Sequence, residues 1–416
     1  MPAEIIRIGI DIGGTFTDFV LEKDDHFHST KVLTTHQAPE QAIMQGLQSL
    51  MTQTGCNPAD AELIIHGTTL ATNAIIEHKG ARVAMLTTEG FRDVLDLGTE
   101  SRFDQYDLNL VKPKPLVARE LRFTIAERLA ADGSELLPLD LGYIKQLAEE
   151  LKKNEIESIA ICFLHSFVNP AHEQRAAEEL RKFLPDIYIS LSSQVAPEIR
   201  EYERFSTTVA NACVQPLIDS YLKNLEGQLK QAGFTCPLYM FLSNGGLAEV
   251  NVARQFPIRL VESGPAGGAV FASHIARRHS EDRILSFDMG GTTAKICLID
   301  DAEPQKANVF EMARVHRFKQ GSGLPARIPV IEMVEIGAGG GSIARVDNLG
   351  RINVGPDSAG SEPGPACYDL GGENATVTDA DLILGLLEAD GFADGSMQLN
   401  KEAAKKAIQN SLADAL

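Results

Sequence analysis

A chain of 416 residues, 44% of them apolar and 23% charged, holds enough core-forming material for two or three domains without disulfide or metal staples. Its formal charge of −19 at pH 7 excludes the basic footprint that coats nucleic acid or anionic lipid, and leaves cationic or small-molecule partners open. The six cysteines form no Cys-x-x-Cys pair and the longest purely apolar run, Ile159–Leu164, is far short of a membrane span, which predicts a reducing, cytoplasmic setting.

The N-terminus runs into a strand pattern with no basic-then-apolar leader. Ile5–Ile12 alternates apolar and polar residues, Gly13-Gly14 turns the chain, and Thr15–Leu21 runs back, which predicts a β-hairpin. His26 and His28 fall in what reads as a charged turn. An amphipathic helix follows over Pro39–Met51. Apolar Leu63–Ile65 leads into His66-Gly-Thr-Thr69 and a helix to about Glu77, and Arg82–Leu86 is a short strand. The polar stretch Gly98–Pro115 reads as an ordered insertion. From Asp140 helices and strands alternate: Leu141–Lys152, Ser158–Leu164, Pro170–Phe183 and Ile187–Leu191 predict an α/β domain with a largely parallel sheet. A long helix over Ser206–Gln231 follows a boundary near Ser193–Glu203, giving domains 1–195 and 196–416. Gly264–Gly268 opens a further helix, Ala269–Arg277, suited to a phosphate or to close helix packing.

The segment Ile8-Gly-Ile-Asp-Ile-Gly-Gly-Thr-Phe-Thr-Asp-Phe-Val-Leu21 recurs as Leu285-Ser-Phe-Asp-Met-Gly-Gly-Thr-Thr-Ala-Lys-Ile-Cys-Leu298. The offset is 277 throughout, as from Asp11 to Asp288, and the Asp, both Gly, the Thr and the last Leu are identical in the two copies. One copy alone is an ordinary hairpin turn. Two copies predict a duplicated unit with facing loops. Glycines at such turns let backbone N–H groups converge on phosphate oxygens, and a threonine hydroxyl adds a neutral donor. A carboxylate just before them suits Mg²⁺, held directly or through water. Asp11, Gly13, Gly14 and Thr15 therefore pair with Asp288, Gly290, Gly291 and Thr292 as halves of a nucleotide clamp, with Asp11 and Asp288 as the metal-side and catalytic candidates. Gly-x-x-x-x-Gly-Lys-Ser/Thr, His-Glu-x-x-His and Gly-x-Ser-x-Gly are absent, which argues against the corresponding ATPase, zinc-protease and serine-hydrolase classes.

Paired Asp-x-Gly-Gly-Thr hairpins resemble the phosphate loops of the sugar kinase, actin and heat-shock chaperone ATPases. More narrowly, the chain resembles the A subunit of the ATP-dependent hydantoinase/5-oxoprolinase family. The resemblance is carried by Asp11–Asp18, His66-Gly-Thr-Thr-Leu-Ala-Thr-Asn73, Lys79-Gly-Ala-Arg82, Thr87-Thr-Glu-Gly-Phe-Arg-Asp93 and Glu262-Ser-Gly-Pro-Ala-Gly-Gly268. It continues through Asp288–Thr293, Glu335-Ile-Gly-Ala-Gly-Gly-Gly-Ser342, Glu362-Pro-Gly-Pro-Ala-Cys367 and Val377-Thr-Asp-Ala380. It implies duplicated actin-like, ribonuclease-H-like α/β domains, ATP and Mg²⁺, a B-type partner subunit, and ATP-driven opening of a cyclic amide. A close branch carboxylates ketones, and a non-catalytic relative is a third reading.

The resemblance also extends the site to Thr17, Thr293, Gly339 and Gly340 on the nucleotide side, and to His66, Thr68, Thr69 and Asn73 on the substrate side. Plainer readings compete: His66 as a satisfied core histidine, Thr68 or Thr69 as helix caps, and Gly337–Ser342 as a surface turn. Family members carry a later Gly-Gly-Ala-Gly-Pro segment on the adenosine side, which does not follow Asp379 here. The second domain is accordingly expected to be incomplete and the isolated chain incompetent in ATP-driven catalysis. The stripe Ala404, Ile408 and Leu412 of the last helix is expected to be poorly packed or covered by a neighbour.

Overall fold

The computed structural model describes residues 5–13, 16–24, 26–35, 38–99, 102–291, 293–314, 319–360, 362–392, 395 and 397–416. Strands β1 (Ile6–Ile12), β2 (Phe16–Lys23) and β3 (His26–Leu33) form an antiparallel meander. The segment around His26 and His28, read from the sequence as a turn, is thus an edge strand. Both of its faces mix polar and apolar residues and it is largely exposed, so it carries no alternating signal. Helix α1 (Pro39–Thr54) starts on a proline and ends at Gly55, whose φ of 66° is left-handed. It buries Ala42, Ile43, Gly46, Leu47 and Leu50 against the isoleucine face of β1. The approach is close: a Cβ at Gly46 would lie 2.2 Å from the Phe19 ring.

Strand β4 (Ala61–Thr68) pairs parallel to β1 and leads into α2 (Leu70–Ile76). A second sheet holds β5 (Val83–Thr88) and, after the helical turn α3 (Val94–Leu97), β6 (Arg122–Ile125). After the small ladder β7 (Arg128–Leu129) and β8 (Glu135–Leu137), α4 (Leu141–Lys153), β9 (Ser158–Cys162), α5 (Ala171–Phe183) and β10 (Tyr188–Leu191) complete it. Its order is β10-β9-β5-β6, all parallel, as the alternation of helices and strands requires.

A single turn, α6 (Ser192–Val195), precedes α7 (Glu201–Gln231), a 31-residue spine shared by both sheets. Phe205, Val209 and Cys213 pack on the second sheet, whereas Val214, Ile218, Leu222 and Leu225 pack on the first. Strands β11 (Leu238–Phe241) and β12 (Leu247–Glu249) then return to the first sheet, whose order is β12-β11-β4-β1-β2-β3. That sheet draws strands from both sides of residue 195.

After α8 (Val250–Gln255), helix α9 (Ser263–His279) passes between the first sheet and a second hairpin, β13 (Arg283–Met289) and β14 (Ala294–Asp300). Near the end of the chain, α10 (Val377–Leu384) and α11 (Lys401–Ser411) pack on each other. Here the sequence expectation is corrected. The correction applies to one residue of the stripe: Ala404 is fully buried with Cys367, Leu382 and Leu399, and Ala407 lies on the same buried face, whereas Ile408 and Leu412 are only half-buried. No helix among the described residues is long and apolar enough to cross a membrane.

Candidate functional site: two hairpins facing one cleft

Both hairpins close with the same hydrogen bond. Gly13 N–H donates to Phe16 O at 2.9 Å, and Gly290 N–H donates to Thr293 O at 2.9 Å, each 277 positions on. Asp11 ends β1 directly across from Asp18, which pairs in turn with Lys31 on β3 and forms a 2.7 Å ion pair with it. In the second hairpin Asp288 lies across from Lys295.

Asp11 keeps a solvent-facing surface, yet protein crowds its carboxyl. That desolvation, reinforced by the like charges of Asp18 and Asp288 and opposed by Lys31, pushes its pKa up to about 6. Helix α9 joins the two aspartates to one cleft: its Gly264 abuts the Asp11 carboxylate, and its N-cap Glu262 pairs with Lys295, the residue across from Asp288.

Helix α9 begins in this cleft. Its N-cap Glu262 has a left-handed φ of 62°, donates its N–H to Thr72 Oγ1 at 3.2 Å, and forms an ion pair with Lys295. Ser263 Oγ accepts the Thr68 N–H and donates to Thr68 O, fastening the helix to the end of β4. Two glycines make room for the Asp11 carboxylate. A Cβ at Gly67 would stand 2.8 Å from Asp11 Oδ1, and one at Gly264 3.3 Å from it. Gly67, Glu262 and Lys295 are site residues that sequence reasoning missed. For Lys295 a signal was present, because it occupies the place of Asp18 in the repeat.

Several expectations meet different facts. Gly14, Thr15 and Thr292 lie outside the described residues. Gly13, Gly290 and Gly291 show no left-handed φ, and a Cβ at Gly291 would meet nothing within 4 Å. Thr293 is half-buried and contributes its carbonyl to the turn. Thr17 is fully buried and meets Thr34 Oγ1 at 3.0 Å, because strand alternation turns it away from the Asp11 face. Thr34 in turn donates to Gly13 O.

The N–H groups of Gly339 and Gly340 are not free donors. They bond Ser342 Oγ and Gly290 O, both at 2.9 Å, while Gly341 N–H bonds Gly291 O at 2.7 Å. The glycine loop therefore braces the second turn. Behind it, Asp379 caps α10 and accepts the N–H groups of Cys367 and Thr376 at 2.8 and 2.9 Å.

His66 is corrected as a substrate residue. It is fully buried, with Nε2 2.7 Å from the Tyr221 hydroxyl and Nδ1 3.4 Å from Ile10 O, and burial pulls its pKa down to about 4. It is a neutral core histidine. Thr68 is also buried and accepts the Leu70 N–H. Thr69 and Asn73 keep accessible surface: Thr69 Oγ1 donates to Ile12 O at 3.2 Å, and Asn73 Nδ2 donates to Thr69 Oγ1 at 3.4 Å.

Among the described residues no three His, Cys, Asp or Glu side chains gather as a metal cage. Two carboxylates on opposite hairpins, one held against ionisation by its neighbours, fit Mg²⁺ that keeps waters and takes its other ligands from phosphates.

The sequence and fold match known proteins along the whole chain. A family model described as hydantoinase/oxoprolinase matches residues 204–416, and one described as the hydantoinase/oxoprolinase N-terminal region matches residues 7–184. Caprolactamase subunit alpha of Pseudomonas jessenii is 38% identical over 425 residues, covering 100% of this chain and 60% of that protein. An uncharacterised protein of Methanocaldococcus jannaschii is 40% identical over 97% of this chain and 60% of its own length. The acetophenone carboxylase gamma subunit of Aromatoleum aromaticum is 32% identical over 99% of this chain and 57% of its own length.

Among solved structures, the ATP-dependent caprolactamase of Pseudomonas jessenii matches with a TM-score of 0.80 at 36% identity, covering 98% of this chain and 60% of that one. Nucleotide-free acetone carboxylase matches with a TM-score of 0.81 at 26% identity, covering 99% of this chain and 59% of that one. The chain thus has their mixed α/β fold and spans about three-fifths of the length of these relatives. It belongs to the hydantoinase/oxoprolinase family.

Proposed function

We propose that this chain is the ATP-binding part of an ATP-dependent cyclic-amide hydrolase, with the two hairpins gripping the phosphates. The observation that carries the reading is the start of α9 set between two hairpins closed by the same hydrogen bond, with Gly264 against Asp11 and Glu262 paired to Lys295 across from Asp288. In this reading the hairpins belong to duplicated actin-like domains.

An amide carbonyl is a poor electrophile, and transfer of a phosphoryl group to its oxygen turns that oxygen into a leaving group. The protein's part is to position the reactants and balance charge. Asp11 and Asp288 would hold Mg²⁺, which would supply charge neutralisation at the phosphates. Asp11 is suited to that place because a divalent cation would offset the crowding that raises its pKa. Gly291 supports the same reading from another side. A Cβ there would meet nothing within 4 Å, so the turn has room for a phosphate to approach its backbone.

The greater identity to the caprolactamase subunit than to the carboxylase subunits favours a cyclic amide over a ketone as substrate. Caprolactamase alpha and the carboxylase proteins are named as subunits, which supports a B-type partner here. The test is ATP hydrolysis by this chain co-purified with such a partner. Stimulation by hydantoin, 5-oxoproline or caprolactam supports the reading. Stimulation by acetone with bicarbonate alone replaces it with the carboxylase reading, and no stimulation by either class rejects both.

A further inference from the structure

Each copy of the repeated hairpin has two faces, one of which bears its aspartate. On the opposite face of the first hairpin, Ile8, Ile10 and Ile12 are 1–4% exposed, and Phe19 and Leu21 are at most 1% exposed. Helices α1 and α7 cover them. The same positions 277 residues later are also apolar. Leu285 is 56% exposed, Phe287 57%, Met289 38% and Leu298 50%. Ile296, cross-strand from Phe287, is half-buried, and Val334 on the adjoining strand is 54% exposed.

These side chains are contiguous. Phe287 pairs with Ile296, Ile296 with Val334, and Leu285 with Leu298, on one side of three neighbouring strands. The other side, with Cys297 and Ile299, is already packed on Ala266 and Ala269 of α9. An apolar sheet face of this extent is the signature of a contact surface.

We propose that the bare face of β13–β14 is a docking surface for an amphipathic helix, seated there as α1 is seated on β1–β2. The helix comes from polypeptide corresponding to the two-fifths of the relatives' length that lies outside the match. Two observations name this occupant. The repeat shows what covers the equivalent face, since the first copy is closed by a helix whose Gly46 comes into contact with Phe19, the counterpart of Ile296. The relatives contain further polypeptide, because this chain accounts for 60% of caprolactamase subunit alpha. Docking would also steady the second hairpin, whose turn is braced on one side by the 339–341 loop. The inference stands independently of the nucleotide reading.

Cysteine accessibility tests it. In this chain Phe287→Cys should label with a small maleimide at close to the rate of a free thiol. In intact caprolactamase subunit alpha, a cysteine at the position aligned with Phe287 should label at least about a hundredfold more slowly. Equal rates would overturn the proposal. In a second arm, the unmatched two-fifths of that subunit is mixed with this chain and followed by sedimentation. Phe287→Lys should weaken the complex at least about tenfold, and Leu349→Lys, an exposed apolar residue elsewhere, should leave it unchanged. If the added polypeptide does not fold, the labelling arm decides alone. Self-association of this chain that Phe287→Lys abolishes, together with free labelling in the relative, would assign the face to a second copy and overturn the proposal as well.

Discussion

Asp11 and Asp288 occupy the same place in two hairpins closed by the same hydrogen bond, yet their cross-strand neighbours carry opposite charge. Asp11 faces Asp18, with Lys31 one strand further out, whereas Asp288 faces Lys295, itself held by Glu262. The apolar faces differ as well: the first is sealed by α1 and α7, the second is bare. A hairpin in a sheet has two independent faces, so the repeat can keep its turn while each copy adapts one face to charge and the other to cover. The first copy provides a fixed, crowded carboxylate. The second provides a charge-balanced one on a less supported strand pair.

The largest expected effect is on the chemistry. In an assembled enzyme, Asp288→Asn should lower ATP turnover by at least about a thousandfold while circular dichroism and the melting temperature stay unchanged. Near-normal turnover would remove Asp288 from the cleft's function and break the equivalence of the two hairpins.

Acid stability separates the two sides of the first sheet. His66 has a pKa of about 4 in the folded chain against 6.5 when unfolded, so its contribution is full above about pH 6.5 and is lost as the pH falls towards 4. The loss is about 3 kcal/mol for this fully buried ring. Asp11 acts in the opposite sense. With its pKa raised from 3.8 to about 6, the folded state takes up the proton first, and stability rises as the pH falls through that window. Urea titrations from pH 7 to pH 4 should therefore show a steeper loss in Asp11→Asn and a shallower one in His66→Gln. Parallel curves for all three proteins would contradict both assignments.

Two glycines sharpen the comparison on a smaller scale. Gly67→Ala places a methyl group against the Asp11 carboxylate and should cost about 1–3 kcal/mol in denaturant unfolding. Gly291→Ala has open space around it and should change stability by no more than about 0.5 kcal/mol. If phosphates approach that turn, the same substitution should weaken MgATP binding about tenfold, measured by calorimetry on the assembled enzyme. A variant that binds normally would detach the second turn from the nucleotide.

The hairpins were legible because alternation and turn glycines are local signals, and α1 because a proline and a glycine bracket its apolar stripe. The pairing of β11 on β4 was not, since it joins short segments about 170 residues apart and no local pattern reports a partner strand. Within the site, Asp11 and Asp288 followed from the repeat, but Thr17 and His66 were assigned to the cleft although each points into the core. For Thr17 the alternation already decided the matter: it shares a face with Phe19 and Leu21, not with Asp18. His66 precedes a glycine that does line the site, and only the position of Tyr221 on α7 shows that the ring is turned inward. Lys295 was hidden because the repeat was read for identities, and its meaning lies in a difference.

The central claim is that both hairpins contact the phosphates of one nucleotide. Paramagnetic broadening by Mn²⁺–ATP measures this directly, in a deuterated sample with amide resonances assigned, and it tolerates weak binding. The account predicts that the Gly13 and Gly290 amides broaden together at low Mn²⁺–ATP, and that Asp288→Asn suppresses both. Broadening of one hairpin without the other, or of neither while sites elsewhere respond, would contradict it.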